Sequence, residues 1–104
     1  PQIPHGRRGG HPSLDPSGKW IVSDTLPDSS GGRLLYLASL DGLVFIPLAT
    51  FFHDPVSANG PYRCDLHPRW DRQGREVCID SVHEGFRGMY LIDVDQLIGK
   101  NVCF

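Results

Sequence analysis

The stretch that decides the fold is HPSLDPSGKWIVSD, residues 11–24, because it returns as HPRWDRQGREVCID at residues 67–80. Both copies begin with His-Pro, enclose a four-residue turn between Asp and Gly, and end in Asp. A shorter match, LYL at residues 35–37 and MYL at residues 89–91, follows each copy. The offsets of the two matches are 56 and 54 residues. A repeat of this period indicates an array of similar β units, which bury their faces against one another.

The composition is typical of a globular chain with many turns. Apolar residues make up 39% and charged residues 21%, and Gly (12) and Pro (9) are frequent among the 104 residues. The net charge of −2, without a basic block, argues against nucleic acid as a partner. No run approaches the ~18 apolar residues of a membrane span, and no signal-peptide pattern is present. We therefore expect no membrane partner, and the cytoplasm and the periplasm both stay open as locations.

Alternating apolar and polar residues predict an all-β fold of two four-stranded antiparallel sheets. We expect residues 1–10 to be a connector, residues 11–60 to form the first unit, and residues 61–104 to form a second unit that is incomplete at its C-terminal end. Helix is expected for at most one turn, over Val94–Ile98. The predicted strands are His11–Leu14, Lys19–Asp24, Arg33–Leu40, Val44–Phe51, Asp65–Trp70, Arg75–Ser81 and Met89–Val94, with a further element from Asp95 onward.

The three cysteines are Cys64, Cys78 and Cys103. Their odd number and unpaired spacing argue against a disulfide framework. Cys78 lies within an apolar strand pattern, which predicts a small buried side chain.

The doubled motif, His-Pro-x-[Leu/Trp]-Asp-x-x-Gly-[Lys/Arg] followed by an apolar strand ending in Asp and then by x-Tyr-Leu, resembles the β-propeller repeat of TolB-type proteins. The resemblance covers residues 11–94. It implies that each unit is a propeller blade and that this chain corresponds to about two blades of a larger ring. Repeats of this type occur in transport components, peptidase accessory domains and lyases, so they specify the fold more closely than the function.

A narrower resemblance is to oligogalacturonate lyase-like propellers, which hold a divalent metal, usually manganese, near the central channel. Their ligands are histidines that begin the innermost strands, together with a Gln. The resemblance places His11 and His67 at two ligand positions and Asp65 at a third, where the family has His. The Gln position falls on Tyr62, so one ligand is missing. It also places the catalytic base in an earlier blade, outside this chain.

The residues themselves support the same metal set, His11, Asp65 and His67. The two histidines occupy equivalent positions of neighbouring units, and Asp65 precedes His67 by two residues, so both point the same way if they lie on a strand. Two imidazoles and a carboxylate suit a divalent cation, manganese before zinc or calcium. The alternative is that His-Pro belongs only to the repeat consensus and that both rings bond to backbone.

Two further side chains are candidates for substrate binding. Arg63 lies near Asp65 and would hold a uronate carboxylate through its guanidinium group, or else form an ion pair with Asp65 or Asp71. His83, beside Glu84, is suited to substrate binding or proton transfer, or else is a solvated loop residue.

Other repeated residues fit structural roles. Asp24 and Asp80 end equivalent strands, which favours capping of backbone groups. The aromatic residues Trp20, Trp70, Tyr36 and Tyr90 are expected to pack in the core between the sheets.

Two functions follow as hypotheses. In the first, the chain is a fragment of a metal-dependent lyase that acts on an acidic oligosaccharide by β-elimination, and the fragment alone is inactive. In the second, it is a non-catalytic propeller module that binds protein or carbohydrate. In both, the partners of its exposed faces are further blades or a second copy of the chain, so we expect a multimer.

Overall fold

The computed structural model describes residues 10–54 and 63–101, and within them two antiparallel sheets. The connector predicted for residues 1–9, the ligand position Tyr62 and Cys103 lie outside the described residues. The first sheet has four strands in the order β1-β2-β3-β4. They are β1 (Ser13–Leu14), β2 (Trp20–Asp24), β3 (Gly32–Ser39) and β4 (Phe45–Phe52). The all-β prediction is confirmed, and the predicted strands of this sheet match within one or two residues.

The second sheet has three strands, β5 (Arg69–Trp70), β6 (Glu76–Ser81) and β7 (Gly88–Asp93), in that order. The expectation of four strands in each unit is therefore wrong for the second unit within the described residues. The chain after β7 forms a helix, α1 (Asp95–Asn101), which is longer than the single turn expected from sequence. Asp93 caps its start, because the Asp93 carboxylate accepts the backbone N–H of Asp95 at 3.0 Å. The unit boundaries themselves stay predictions.

The turns between β1 and β2 and between β5 and β6 are built alike. The Asp15 carboxylate accepts the backbone N–H groups of Lys19 and Trp20, both at 2.9 Å. The equivalent carboxylate, of Asp71, accepts two N–H groups in the same way, at 2.8 and 3.2 Å. Gly18 and the matching glycine of the second turn have φ of 75° and 71°, a conformation that favours glycine. The Asp-x-x-Gly spacing therefore fixes the same turn twice.

The core lies between the two sheets. One face of the first sheet, with Val22, Leu35 and Leu37 all fully buried, packs against Val77 and Ile79 of the second sheet, which are also fully buried. Burial of this apolar surface is the main stabilising contribution that holds the two sheets together. The expected aromatic packing is present: Trp20 and Tyr36 are buried, and Trp70 and Tyr90 are partly buried against the same core.

Two smaller expectations had different outcomes. Cys78 is half-buried, whereas Cys64 is the buried thiol, and both are free. Cys78 points to the outer face of the second sheet, away from the core, which is why its apolar neighbours in sequence do not bury it. Burial raises the pKa of the Cys64 thiol above its ordinary value. In the part of the chain that the structure describes, no helix has the length and apolar character needed to cross a membrane.

Candidate metal centre

His11 and His67 meet at the place where the two sheets adjoin. Each histidine lies two residues before the first strand of its sheet, β1 or β5, and these two short strands are neighbours. The imidazole rings lie 4.0 Å apart between centroids, tilted by 33°. The repeat therefore brings together two side chains that are 56 residues apart in sequence.

Asp24 holds His11 in place from the end of β2. Its carboxylate accepts the backbone N–H of His11 at 2.7 Å, and the His11 ring atom Nδ1 lies 3.2 and 3.3 Å from the two carboxylate oxygens. The Asp24 side chain is only 1% exposed. A Cβ at Gly10 would collide with this carboxylate, so glycine is needed for the close approach. With a proton on Nδ1, the atom Nε2 of His11 keeps a lone pair for a ligand.

Asp65 is placed by two ion pairs rather than by a strand. Its Oδ1 lies 2.9 Å from Arg33 Nη2, and its Oδ2 lies 3.0 Å from Arg63 Nη2. The Arg33 and Asp65 side chains are 2% and 8% exposed, whereas that of Arg63 is 49% exposed. Arg33 lies on β3, so the buried pair joins the first sheet to the segment that enters the second. Of the two possibilities for Arg63, the structure contains the ion pair with Asp65.

His67 differs from a strand residue in its backbone. Its φ is 43°, and it is the one non-glycine residue of positive φ among those described. The segment from Asp65 to Pro68 is not a strand, because β5 begins only at Arg69. The argument that residues 65 and 67 share a strand face is therefore wrong, although the two side chains do converge. Backbone conformations of this kind cost energy and persist where the surroundings hold them.

The three donors form one compact group. One ligand atom each from His11, Asp65 and His67 can be chosen so that all lie within 4.8 Å of one another. Asp65 is nearly buried at the base, and His67 is exposed, so the group opens to solvent on one side. Two neutral imidazoles and a carboxylate are ligands suited to manganese or zinc. The arginines beside Asp65 partly offset its negative charge, which opposes cation binding.

His83 lies in a separate cluster. Its ring atom Nδ1 is 2.7 Å from Ser81 Oγ. The ring contacts Phe51 of the first sheet edge-on and packs against Tyr90 of β7. The Tyr90 hydroxyl donates to Glu84, which raises the pKa of that phenol above its ordinary value. His83 therefore joins the loop after β6 to both sheets and is not among the three grouped donors.

Sequence reasoning missed two residues of this centre. Asp24 was assigned to backbone capping, and it does accept a backbone N–H, but it also accepts from the His11 ring. Arg33 was not singled out, although a lone cation at the start of an apolar strand, RLLYLAS at residues 33–39, is a signal for a buried ion pair. In both cases the partner is distant in sequence.

The comparisons with known proteins concern the fold. No protein-family model matches this chain, and no curated protein matches it either. A solved structure, the β-propeller domain of the Trilobed protease from Pyrococcus furiosus, superposes with a TM-score of 0.63 over 86% of this chain at 14% identity. The chain has a β-propeller fold. Its two sheets are blades, and it spans 26% of the length of that propeller chain.

Proposed function

We propose that this chain supplies the metal-binding part of a propeller enzyme, a lyase of the oligogalacturonate lyase-like kind that cleaves uronate-containing oligosaccharides by β-elimination. The observation that carries the proposal is the convergence of His11, Asp65 and His67, whose ligand atoms lie within 4.8 Å of one another. The two histidines come from equivalent positions of adjacent blades, as expected for a site built at the inner ends of a ring.

The donor set fits a divalent cation. His11 has its Nδ1 directed at Asp24, so its Nε2 is available as a ligand, and carboxylates that orient histidines in this way are usual at metal sites. Each Asp65 oxygen has a second lone pair beyond the one that its arginine uses, so the carboxylate still offers a ligand position. Manganese is the first candidate, with zinc and calcium as alternatives.

The residues of the chain have distinct tasks in this proposal. Asp24 fixes the tautomer of the His11 ring, and Arg33 holds Asp65 in its buried position. Arg63, with half its side chain in solvent, is free to turn from Asp65 toward a substrate carboxylate. When bound, the metal would neutralise the uronate carboxylate and acidify the adjacent carbon-bound proton. The base that removes this proton is assigned to another blade, so the chain alone is expected to be inactive.

Calorimetric titration with Mn²⁺ or Zn²⁺ tests the site. His11→Ala and His67→Ala each remove a ligand, so each is expected to weaken binding by more than the 10–100-fold typical of losing a supporting residue. His83→Ala is the matched control, because His83 lies in the separate cluster with Ser81 and Tyr90, and its affinity should equal that of the unmodified chain. Loss of binding in His83→Ala alone, or no binding by the unmodified chain, would contradict the proposal.

One observation favours the second function, a non-catalytic propeller module that binds protein or carbohydrate. Both oxygens of Asp65 already have arginine partners, which satisfies the carboxylate without a metal. The two functions differ in the same titration, because the module needs no cation. Binding of an acidic oligosaccharide that is equal with and without metal, and is lost in Arg63→Ala, would favour the module.

A further inference from the structure

The outer edge of β7 differs from its counterpart in the first blade. Strand β7 corresponds to β3 through the MYL and LYL matches, and β3 is paired along its length with β4, from Gly32↔Phe52 to Ala38↔Phe45. In the described residues no strand lies beyond β7, since its sheet ends there. The helix that follows does not take this place, because Ile98 of α1 packs against the core. An exposed strand edge of this kind offers backbone donors and acceptors to another strand.

The side chains of β7 are also those of a contact surface. Met89 and Leu91 are 71% and 67% exposed and point to the same side of the sheet, two residues apart. Arg87, directly before the strand, and Asp93, at its end, continue the same alternation and are both exposed. One side of β7 therefore presents, in order, a cation, two apolar side chains and an anion.

We propose that β7 is the pairing edge of a homodimer, in which it pairs antiparallel with β7 of a second copy about a two-fold axis. A two-fold axis through the edge makes identical strands antiparallel and the contact self-complementary. The occupant is a second copy because the order of residues is complementary to itself. With Tyr90 opposite Tyr90, Met89 lies opposite Leu91 of the other copy, and Arg87 lies opposite Asp93.

The register follows from this complementarity. A shift by one residue pair in one direction puts Met89 opposite Asp93, and a shift in the other puts Arg87 opposite Leu91. Only the register centred on Tyr90 forms two apolar pairs and two ion pairs at once, and such cross-strand pairs stabilise antiparallel sheets. This inference does not depend on the metal site, which lies at the opposite, inner side of the sheets at β1 and β5.

Sedimentation of the full chain tests the dimer, whose mass should be twice the 11.6 kDa of one chain. Arg87→Asp and Asp93→Arg each place like charges opposite one another twice, so each should dimerise at least about tenfold more weakly. An equimolar mixture of the two variants restores both ion pairs in a heterodimer, so association should return in the mixture. Far-UV circular dichroism checks that each variant is folded, since Asp93 also caps α1.

Matched controls separate the edge from general effects of charge and apolar area. Arg72→Asp makes the same charge change on the exposed turn between β5 and β6, and Leu43→Lys changes a leucine that is 84% exposed outside the edge. Both should dimerise like the unmodified chain, whereas Leu91→Lys should not.

Three results would overturn the proposal. One is a monomer up to several hundred micromolar. Another is a mixture of Arg87→Asp and Asp93→Arg that associates no better than either variant alone. The third is association that Leu91→Lys weakens but the charge changes leave intact, which would indicate that another sheet stacks on the face of the blade.

Discussion

The two blades place an aspartate at the same position and use it differently. In the first blade Asp24 contacts His11 directly, through its backbone N–H and its ring. In the second blade Asp80 contacts Arg69 at 3.2 Å, and Arg69 in turn donates to the backbone carbonyl of His67. The hydrogen bond to Asp80 raises the pKa of Arg69 above its ordinary value.

The cause of this difference is one position in the repeat. Arg69 stands where the first blade has Ser13, and serine is too short to reach the aspartate. The carboxylate of the first blade is thereby left to its histidine. The repeat therefore conserves the backbone frame while a single side chain decides whether the imidazole is oriented by a carboxylate. Of the two histidines, His11 is the one prepared for a ligand.

The blades differ in the same way on their apolar faces. Leu35 and Leu37 are fully buried against the second blade, whereas their equivalents Met89 and Leu91 are largely exposed. The residue types are alike, so the difference comes from what covers them. An apolar strand pattern in a repeat shows which face is built for contact, but it does not show whether a neighbour is present.

The largest expected effect tests this contrast with one substitution at two equivalent positions. Leu37→Ala should lower the free energy of unfolding by about 2–5 kcal/mol, because it leaves a cavity in the core between the blades. Leu91→Ala should change it by no more than about 0.5 kcal/mol, because that side chain is mostly in solvent. Urea denaturation at a protein concentration that keeps the chain monomeric gives both values. Equal losses would mean that Leu91 is covered in solution.

The sequence was sufficient for most of the fold. The Asp-x-x-Gly turns and the period-two strands are local, so their signals survive in a single sequence, and they predicted seven strands within a few residues. The fourth strand of the second blade was wrong because repeat symmetry was extended beyond the matched residues. The segment from Asp95 to Asn101 instead has an aspartate before it that caps a helix, and this local signal prevails over the repeat.

The candidate site was predictable in its members but not in its construction. His11 and His67 follow from the repeat, because equivalent residues of adjacent units lie side by side. Asp65 was included for a strand geometry that it does not have, and two arginines place it instead. Such ion pairs join residues up to 32 positions apart, and neither periodicity nor turn chemistry carries information about them.

A second prediction separates the two aspartates by their effect on metal affinity. Asp24→Asn leaves an oxygen for the His11 backbone N–H, but its amide donates to Nδ1 and so moves the ring proton to Nε2, which loses its lone pair. Metal affinity should fall by about 10–100-fold. Asp80→Asn, which touches no imidazole, should leave it unchanged. Titration calorimetry with Mn²⁺ measures both, and thermal unfolding confirms that the variants are folded.

The outcome also tests the assignment of the tautomer. If Asp24→Asn binds Mn²⁺ as well as the unmodified chain does, His11 is not a ligand through Nε2. If Asp80→Asn has the larger effect, the second blade rather than the first orients the centre, and the comparison between the two aspartates is reversed.

The smallest expected effect concerns the two turn aspartates and pH. Burial raises the pKa of Asp15, but the Ser17 hydroxyl and the backbone N–H donors outweigh it, so the pKa of Asp15 lies below its ordinary value. For Asp71 the backbone N–H of Glu76 is the main cause of a lowered pKa. A lowered pKa in the folded state means that each ionised carboxylate stabilises the fold above about pH 4. This stabilisation is lost as the pH falls through the pKa of the folded state.

The two turns should differ because the hydroxyl of Ser17 donates to Asp15 at 2.7 Å, whereas Gln73 stands at the equivalent place in the second turn. In Asp15→Asn the side-chain oxygen still accepts the two backbone N–H groups, but the group no longer titrates. The free energy of unfolding between pH 6 and pH 2 should therefore fall less steeply in Asp15→Asn than in the unmodified chain, and Asp71→Asn should lie between them. Denaturant titrations at several pH values measure the slopes. A steeper fall in Asp15→Asn would mean that the carboxylate is protonated in the folded turn, and the equivalence of the two turns would then end at their backbone.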